Sequence, residues 1–490
     1  IKRVRTKTVL YIHDVETGEE WPIYDGLNKD QQEAWAIFGV YSNYSWTPND
    51  DSIVFWSGGK INKVNINTLQ VTNIPFEVST KIKIAKAVEF DTPVAPDTFN
   101  AKVIRDVKTS PDGKSLVFNA LGYLYTMQLP NGTPKRLTNG SDFEFEPSFS
   151  QDGSQIVYVT WNDENLGNIY TISSRGGTST KITSEKGIYR NPSFSNDGKK
   201  ITYRKEGGNG DQGRTFDKNP GLYIVNSNGT NNRFLTRQGD LPLFTKDDKR
   251  VMFQNGGTFG GAITKELKSV DLTGNDERTL IKSSHGNRLL PSPDGNWVAF
   301  IHLFKVYMAP MPRAGTSIDL TDKTSFVPVT QLTEDAGINL HWSNDSKTLH
   351  WTLGNQYFSA KASSDTKLIA QPTATINLDV KTDKPSGIIA FKNARIITMN
   401  GDIVIENGTI VVDQNKISAV GNSSEVTIPS NAKVYDVSGK TIMPGIVDAH
   451  AHIGGFRDGL TTQKHWQFYA NLAYGVTTSH DPSANTQAVF

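Results

Sequence analysis

Ser110-Pro111-Asp112-Gly113-Lys114-Ser115-Leu116-Val117-Phe118 decides how this chain is read. Asp and Gly at its centre suit a tight hairpin turn, because Gly reaches positive φ at no steric cost and Asp bonds its own backbone. Ser115 to Phe118 then reads as a strand ending in an aromatic. The unit recurs at Thr47-Pro48-Asn49-Asp50 running to Phe55, Ser150-Gln151-Asp152-Gly153 to Tyr158, and Ser195-Asn196-Asp197-Gly198 to Tyr203. It returns at Thr245-Lys246-Asp247-Asp248 to Phe253, Ser292-Pro293-Asp294-Gly295 to Phe300, and Ser343-Asn344-Asp345-Ser346 to Trp351. From Ser110 onward the copies start 40 to 51 residues apart.

A second hairpin follows each unit, as in Leu124-Tyr125-Thr126-Met127 and Lys135-Arg136-Leu137-Thr138. Lys181-Ile182-Thr183, Phe234-Leu235-Thr236 and Gln331-Leu332-Thr333 close later copies in the same way. Four short strands in roughly 40–45 residues make one propeller blade. The expectation is seven inner strands around one pseudo-axis, or two adjacent partial rings. Val9 to Val15 and Glu20 to Tyr24 read as a blade's outer hairpin without inner strands upstream. Tyr357-Phe358 and Lys367-Leu368-Ile369 are expected to complete the final blade. Phe149-Ser150, Phe194-Ser195 and Trp342-Ser343 resemble the TolB-type repeat, an aromatic before a Ser-Pro-Asp-Gly turn. The resemblance covers residues 40–372, and it specifies architecture rather than activity.

Composition narrows the function classes. A formal net charge of +1 and no long block of like charge argue against a nucleic-acid partner. The absence of cysteine excludes disulfides, thiolate metal sites and cysteine nucleophiles. No apolar run approaches the 18 or so residues of a membrane-spanning helix. The chain starts at Ile1 rather than Met and is read as lacking its natural N-terminus.

Lys381-Thr382-Asp383-Lys384-Pro385-Ser386-Gly387 has a linker composition. Short strands return at Ile388 to Phe391, Ala394 to Thr398, Ile403 to Glu406, Thr409 to Val412 and Lys416 to Val420, with Asn407-Gly408 as a hairpin signal. Next comes Met443-Pro444-Gly445-Ile446-Val447-Asp448-Ala449-His450-Ala451-His452. On a strand, residues two apart share a face, so Asp448, His450 and His452 would line one side. Two imidazoles on one rigid face can chelate a divalent ion. The plainer reading is a buried strand whose histidines bond to backbone.

Asn407-Gly408-Thr409-Ile410, Met443-Pro444-Gly445, Asp448-x-His450-x-His452 and Gly475-Val476-Thr477-Thr478 together resemble the amidohydrolase superfamily. Gln463 to Tyr474 suits the first crossover helix between them. The resemblance covers residues 387–490. It implies a mainly β chain: a β-propeller of short four-stranded blades, then a small β-sandwich-like domain and the first βα units of a truncated (β/α)8 barrel. It also implies His450 and His452 as ligands of a divalent metal, Zn2+ in first place, with one or two ions, and Asp448 and His480 as supporting or substrate-contacting groups. The remaining ligands and the general base would lie beyond Phe490. The activity implied is metal-dependent hydrolysis of carbon–nitrogen bonds in a small-molecule or peptide-like substrate, with the propeller scaffolding or gating it. Large bacterial amidohydrolases with TolB-like repeats are the nearest resemblance, which implies a periplasmic or secreted setting. The domains expected are 1–40, a partial blade; 41–372, the propeller; 373–386, a linker; 387–443, the small β domain; and 444–490, the barrel start. The alternative is a non-catalytic TolB-like binding scaffold.

Gly208-Asn209-Gly210-Asp211-Gln212-Gly213 fits the dinucleotide-binding pattern, but Asn219-Pro220-Gly221 stands where a helix should follow, so a blade loop is the better reading. No Gly-x-Ser-x-Gly nucleophile elbow is present. His13, His285, His302, His341 and His350 have no partner spacing and receive no role.

Overall fold

The computed structural model describes residues 1–28, 42–86, 96–208, 219–257, 264–313, 315–365, 367–453 and 463–482. Most of these lie in strands; one helix, Trp466–Ala473, is present among them. The repeated turn has the expected chemistry. Ser110 Oγ donates to Asp112 Oδ1 at 2.6 Å, and the Lys114 N–H donates to the same oxygen. The pair repeats at Ser150–Asp152, Ser195–Asp197, Thr245–Asp247, Ser292–Asp294 and Ser343–Asp345. Gly113, Gly153, Gly198 and Gly295 occupy the left-handed position after the Asp, and Asp248 and Ser346 adopt it at φ 54° and 62°. The aromatic that ends each following strand is buried: Phe118, Tyr158, Tyr203, Phe253, Phe300 and Trp351.

Six blades form one closed ring. Their inner strands are Arg105–Thr109, Phe143–Phe149, Tyr189–Phe194, Asp240–Phe244, Gly286–Pro291 and Ile338–Trp342. Each blade is a four-stranded antiparallel meander, and Ile318–Asp319 adds a parallel fifth strand to the fourth. A blade has two apolar faces, so each must bury one against each neighbour. Separate apolar clusters fill the interfaces of blades one–two, two–three, three–four, four–five and five–six. A further cluster, with Ile104, Phe118, Tyr357 and Ile376, joins blade six to blade one.

A clasp reinforces that closing seam. Thr98–Asn100, just before blade one, pairs antiparallel with Asp379–Lys381, just after blade six. Pro372–Thr375 is the outer strand of blade six, whereas Lys367 bridges to Gln331 instead. Within the stretch 373–386 expected as a linker, 373–375 lie in the outer strand and 379–381 in the clasp, while 382–386 form no strand and lead to the next sheet. The strand residues among them are largely exposed, as expected of an outer strand and a two-stranded clasp.

Two histidines sit in the seam. The Thr109 N–H donates to His341 Nε2 at 3.0 Å, so Nδ1 carries the proton and donates to the Asn339 carbonyl at 2.8 Å. The Tyr357 hydroxyl bridges Thr109 Oγ1 and His350 Nδ1. Burial holds the His341 pKa well below its ordinary value and pushes His350 down to about 4. A folded pKa below the unfolded 6.5 means the unfolded chain binds protons first as pH falls. The contribution of His350 is full above about pH 6.5 and is lost as pH falls to about 4, and the decline from His341, whose folded pKa also lies well below 6.5, runs in the same direction. Thermal melting across this window should show the decline for the native chain and a shallower one for His350→Gln. Equal slopes would locate the proton uptake elsewhere.

Residues 1–92 form a compact unit of their own. Lys2–Val4, Lys7–His13 and Glu20–Leu27 make a three-stranded sheet; Tyr44–Trp46, Ser52–Ser57, Lys60–Asn65 and Val71–Ile74 make a four-stranded one. Leu10, Ile23, Leu27, Ile53, Phe55 and Val64 share a core between the two sheets. The copy at Thr47 thus belongs to this unit, and the ring around one axis holds six repeats rather than seven. The unit's second sheet, not its first, is the complete four-stranded one.

Residues 388–442 form one five-stranded sheet rather than a sandwich. Ile388–Ile397 is flanked on one side by Val404–Asp413 and then Lys416–Asn422, and on the other by Lys433–Asp436 and Thr441–Ile442, both parallel to it. Asn407-Gly408 makes no turn, because Val404–Asp413 runs straight through it. A Cβ on Gly408 would meet Ile396 Cδ1 at 2.3 Å, so this glycine permits close packing instead. Ile446–Asp448, the helix Trp466–Ala473 and Val476–Ser479 form a parallel βαβ unit. Where the first βα units of a (β/α)8 barrel were expected, this single unit stands, and no barrel forms among the described residues.

Candidate functional site

The inner strands of all six blades enclose a cavity of about 550 Å³. The residue four positions before each turn Ser or Thr lines it: Asp106, Glu146, Asn191, Leu241, Arg288 and Asn339. In five blades a β-bulge places two inner-strand residues opposite the single buried aromatic, as Asp106 and Val107 oppose Phe118. The first of the two turns left-handed, with φ between 50° and 57° at Asp106, Glu146, Asn191, Leu241 and Asn339. Bulges re-aim side chains, and here they aim them at the cavity.

Three of these side chains link neighbouring blades. The Asp106 N–H donates to Asn339 Oδ1 at 3.0 Å, the Glu146 N–H to Asp106 Oδ2 at 3.1 Å, and the Asn191 N–H to Glu146 Oε2 at 2.5 Å. The result is a girdle in which each short polar side chain satisfies the backbone of the next blade. Leu241 and Arg288 interrupt it, since neither side chain can accept a hydrogen bond. In blade five the bulge is displaced: Leu289 pairs directly with Phe300 and Arg288 with Ile301.

The cavity wall carries buried charge. Arg190 places Nε and Nη2 on Glu146 Oε1 at 2.9 and 2.7 Å. Burial opposes the Arg190 charge, but Glu146 outweighs it and holds the guanidinium firmly protonated. Burial, with the Glu146 charge second, raises the Asp106 carboxyl. Burial pushes the Lys108 ammonium down to about 8, and the Arg288 charge adds to this. Glu206 and Asp240 both pair with Arg204, at 2.8 and 3.2 Å. Sequence reading missed every one of these residues. The usable signal was the fixed offset of four from the repeated turn.

The residues singled out in the sequence lie in the βαβ unit. The strand ends at Asp448, so Asp448, His450 and His452 do not share a strand face. Asp448 Oδ1 instead accepts the His450 N–H at 3.1 Å, a local turn that ends the strand. The two imidazoles still lie side by side, with ring centroids 5.1 Å apart, and both side chains are exposed. His480 is exposed as well, and its N–H donates to the Asp448 carbonyl at 2.9 Å. Among the described residues, no three His, Asp or Glu side chains come together in a group that could hold a metal. A catalytic zinc site takes about three protein ligands, and the pair amounts to two imidazoles. Most of the Gly208–Gly213 segment lies outside the described residues.

Six antiparallel meanders around a polar channel, each opened by the same Asp-capped turn, call for comparison with known propellers. Residues 107–212 match the family model of the TolB beta propeller domain, PD40. This TolB-like match spans blades one and two and the two inner strands of blade three. No curated protein matches the sequence. The structure is similar to that of putative TolB from Agrobacterium tumefaciens, with 21% identity over 51% of this chain and 93% of that one and a TM-score of 0.39. TolB from Acinetobacter baumannii matches at 18% identity over 66% and 77%, TM-score 0.37. A gluconolactonase from Xanthomonas campestris matches at 13% over 53% and 86%, TM-score 0.39. No helix among the described residues is long and apolar enough to cross a membrane.

Proposed function

We propose that this protein is a binding scaffold whose TolB-like propeller takes a small-molecule or peptide-like ligand into its central channel, in a periplasmic or secreted setting. The observation that carries this reading is the 550 Å³ cavity walled by ionisable side chains from the inner strands. Concave sites with a few convergent polar groups are where proteins hold small ligands. The displaced bulge at Asn287, an exposed residue on the cavity wall, leaves room to test it. A thermal-shift screen of organic acids, amines and short peptides should yield hits that bind Asn287→Trp at least about tenfold more weakly, a loss of about 1.4 kcal/mol. Hits that bind native and plugged chains equally, or an empty screen, would overturn the proposal.

A second reading, metal-dependent hydrolysis of carbon–nitrogen bonds, draws support from one observation: two adjacent imidazoles follow the first strand of a parallel βαβ unit. His450 and His452 would be the metal ligands, with a divalent ion such as Zn2+ supplying an activated water when bound. The Asp448 carboxylate accepts the His450 N–H, and the His480 N–H donates to the Asp448 carbonyl, tying the two strand ends together. Zinc titration should show binding that His450→Ala or His452→Ala abolishes; unchanged binding in both variants would remove this reading.

A further inference from the structure

The girdle around the channel is built from acceptors, yet its fifth position is Arg288. An acceptor there would satisfy a neighbouring backbone; a guanidinium cannot. Because the bulge of blade five is displaced, Arg288 sits in regular register on Ile301 and lines the cavity. Its Nε is buried with no hydrogen-bond partner. Buried guanidinium nitrogens are ordinarily bonded, so an orphan facing a cavity points to a ligand. Lys108 of blade one lines the same cavity, and burial together with the Arg288 charge makes its ammonium easier to deprotonate. No ion pair or side-chain hydrogen bond engages either head group among the described residues.

Arg105 also lines the cavity, where burial opposes its charge and Asp106 beside it favours its protonation. Most of the other charges near the pair are engaged. His341, from the blade between them, is neutral, because its Nε2 accepts from the Thr109 backbone. Glu146 is occupied by Arg190 and the Asn191 N–H. Glu206 and Asp240 are occupied by Arg204. Asp106, which lines the cavity, accepts the Glu146 N–H through Oδ2, and its Oδ1 is left without a hydrogen bond among the described residues. Lys108 and Arg288 are therefore the two cations of the wall without an ion pair or side-chain hydrogen bond among the described residues, and Asp106 stands near them as an acidic acceptor.

We infer that the channel binds a zwitterion of the amino-acid or short-peptide class, its carboxylate held by Arg288 and Lys108 and its ammonium by Asp106. This rests on the channel being the ligand site and names the ligand's chemistry. An Arg fork with a Lys beside it suits a carboxylate, and charge-assisted bonds of this kind are about twice as strong as neutral ones. Asp106 and Glu146 on the same wall disfavour a dianion such as phosphate.

The test uses calorimetry on the full chain with L-alanyl-L-alanine, its C-terminal amide, its N-acetyl derivative and inorganic phosphate. The dipeptide should bind one to one, with the amide and the N-acetyl form each weaker by about tenfold or more. Arg288→Gln and Lys108→Met should weaken the dipeptide similarly, while Asp106→Asn should weaken the dipeptide but not the N-acetyl form. Two cation variants are used so that one misfolded protein does not decide the matter. Equal binding of dipeptide and amide, preference for phosphate, or dipeptide binding unchanged in both cation variants would overturn the inference. So would failure of the dipeptide to bind while other ligands are lost in Asn287→Trp, an outcome that leaves the scaffold reading standing. Failure of every channel ligand would remove both.

Discussion

Trp351→Ala is expected to destabilise the propeller by about 3–5 kcal/mol, the range for deleting a large aromatic from a packed core. Trp351 is completely buried and stacks on Phe358 with ring centroids 5.7 Å apart. It belongs to the cluster that joins blades five and six, with Leu290, Val306, Leu340 and Leu349. It also lies opposite the blade-six bulge, and a Cβ on Gly337 would meet its Cδ1 at 2.9 Å. The indole N–H is buried without a partner, so the variant loses packing and no hydrogen bond. The surrounding strands are held by two neighbouring blades and cannot collapse into the gap, which places the cost at the full cavity value. Chemical denaturation of native and variant chains measures it, and a loss below about 1 kcal/mol would show that the ring repacks freely.

Glu146→Ala should cost a similar amount, about 3–5 kcal/mol, for an electrostatic reason. The Glu146 and Arg190 side chains are only 10% and 17% exposed. Removing the carboxylate strands the guanidinium and frees the Asn191 N–H, which has no other acceptor in the girdle. The bond between blades two and three breaks with it. Arg190→Met in the Glu146→Ala background should recover part of the loss, because the uncompensated charge is gone. If the double variant is no more stable than Glu146→Ala, the cost lies in the lost bulge contact rather than in the buried charge. A melting temperature unchanged in Glu146→Ala would contradict the girdle's structural role altogether.

Both residues hold fixed positions in the repeated unit, Trp351 in blade six and Glu146 in blade two, yet only one was legible beforehand. Trp351 ends a strand that follows an Asp-capped turn, and such units are local: a hydroxyl, a carboxylate and a left-handed residue within four positions close the hairpin. Glu146 stands four residues before a turn, where its role depends on a bulge and on the blade beside it. Neither is encoded in the alternation of its own strand. The same division separates two of the glycines. Gly113 serves its own turn, whereas Gly408 answers to Ile396 on another strand. The linker composition of residues 373–386 was likewise read without the partner strand Thr98–Asn100, which lies about 280 residues earlier in the chain.

The sequence by itself determined that this is a repeat-built β protein with a βαβ segment near its end, because turn chemistry and strand periodicity act over a few residues. Tertiary structure alone decided the number of blades in the ring, the seam that closes it and the makeup of the channel wall. Those depend on which faces find partners across long stretches of chain. It also decided that Asp448 ends its strand with a turn, leaving His450 and His452 beside each other through that turn rather than through strand alternation.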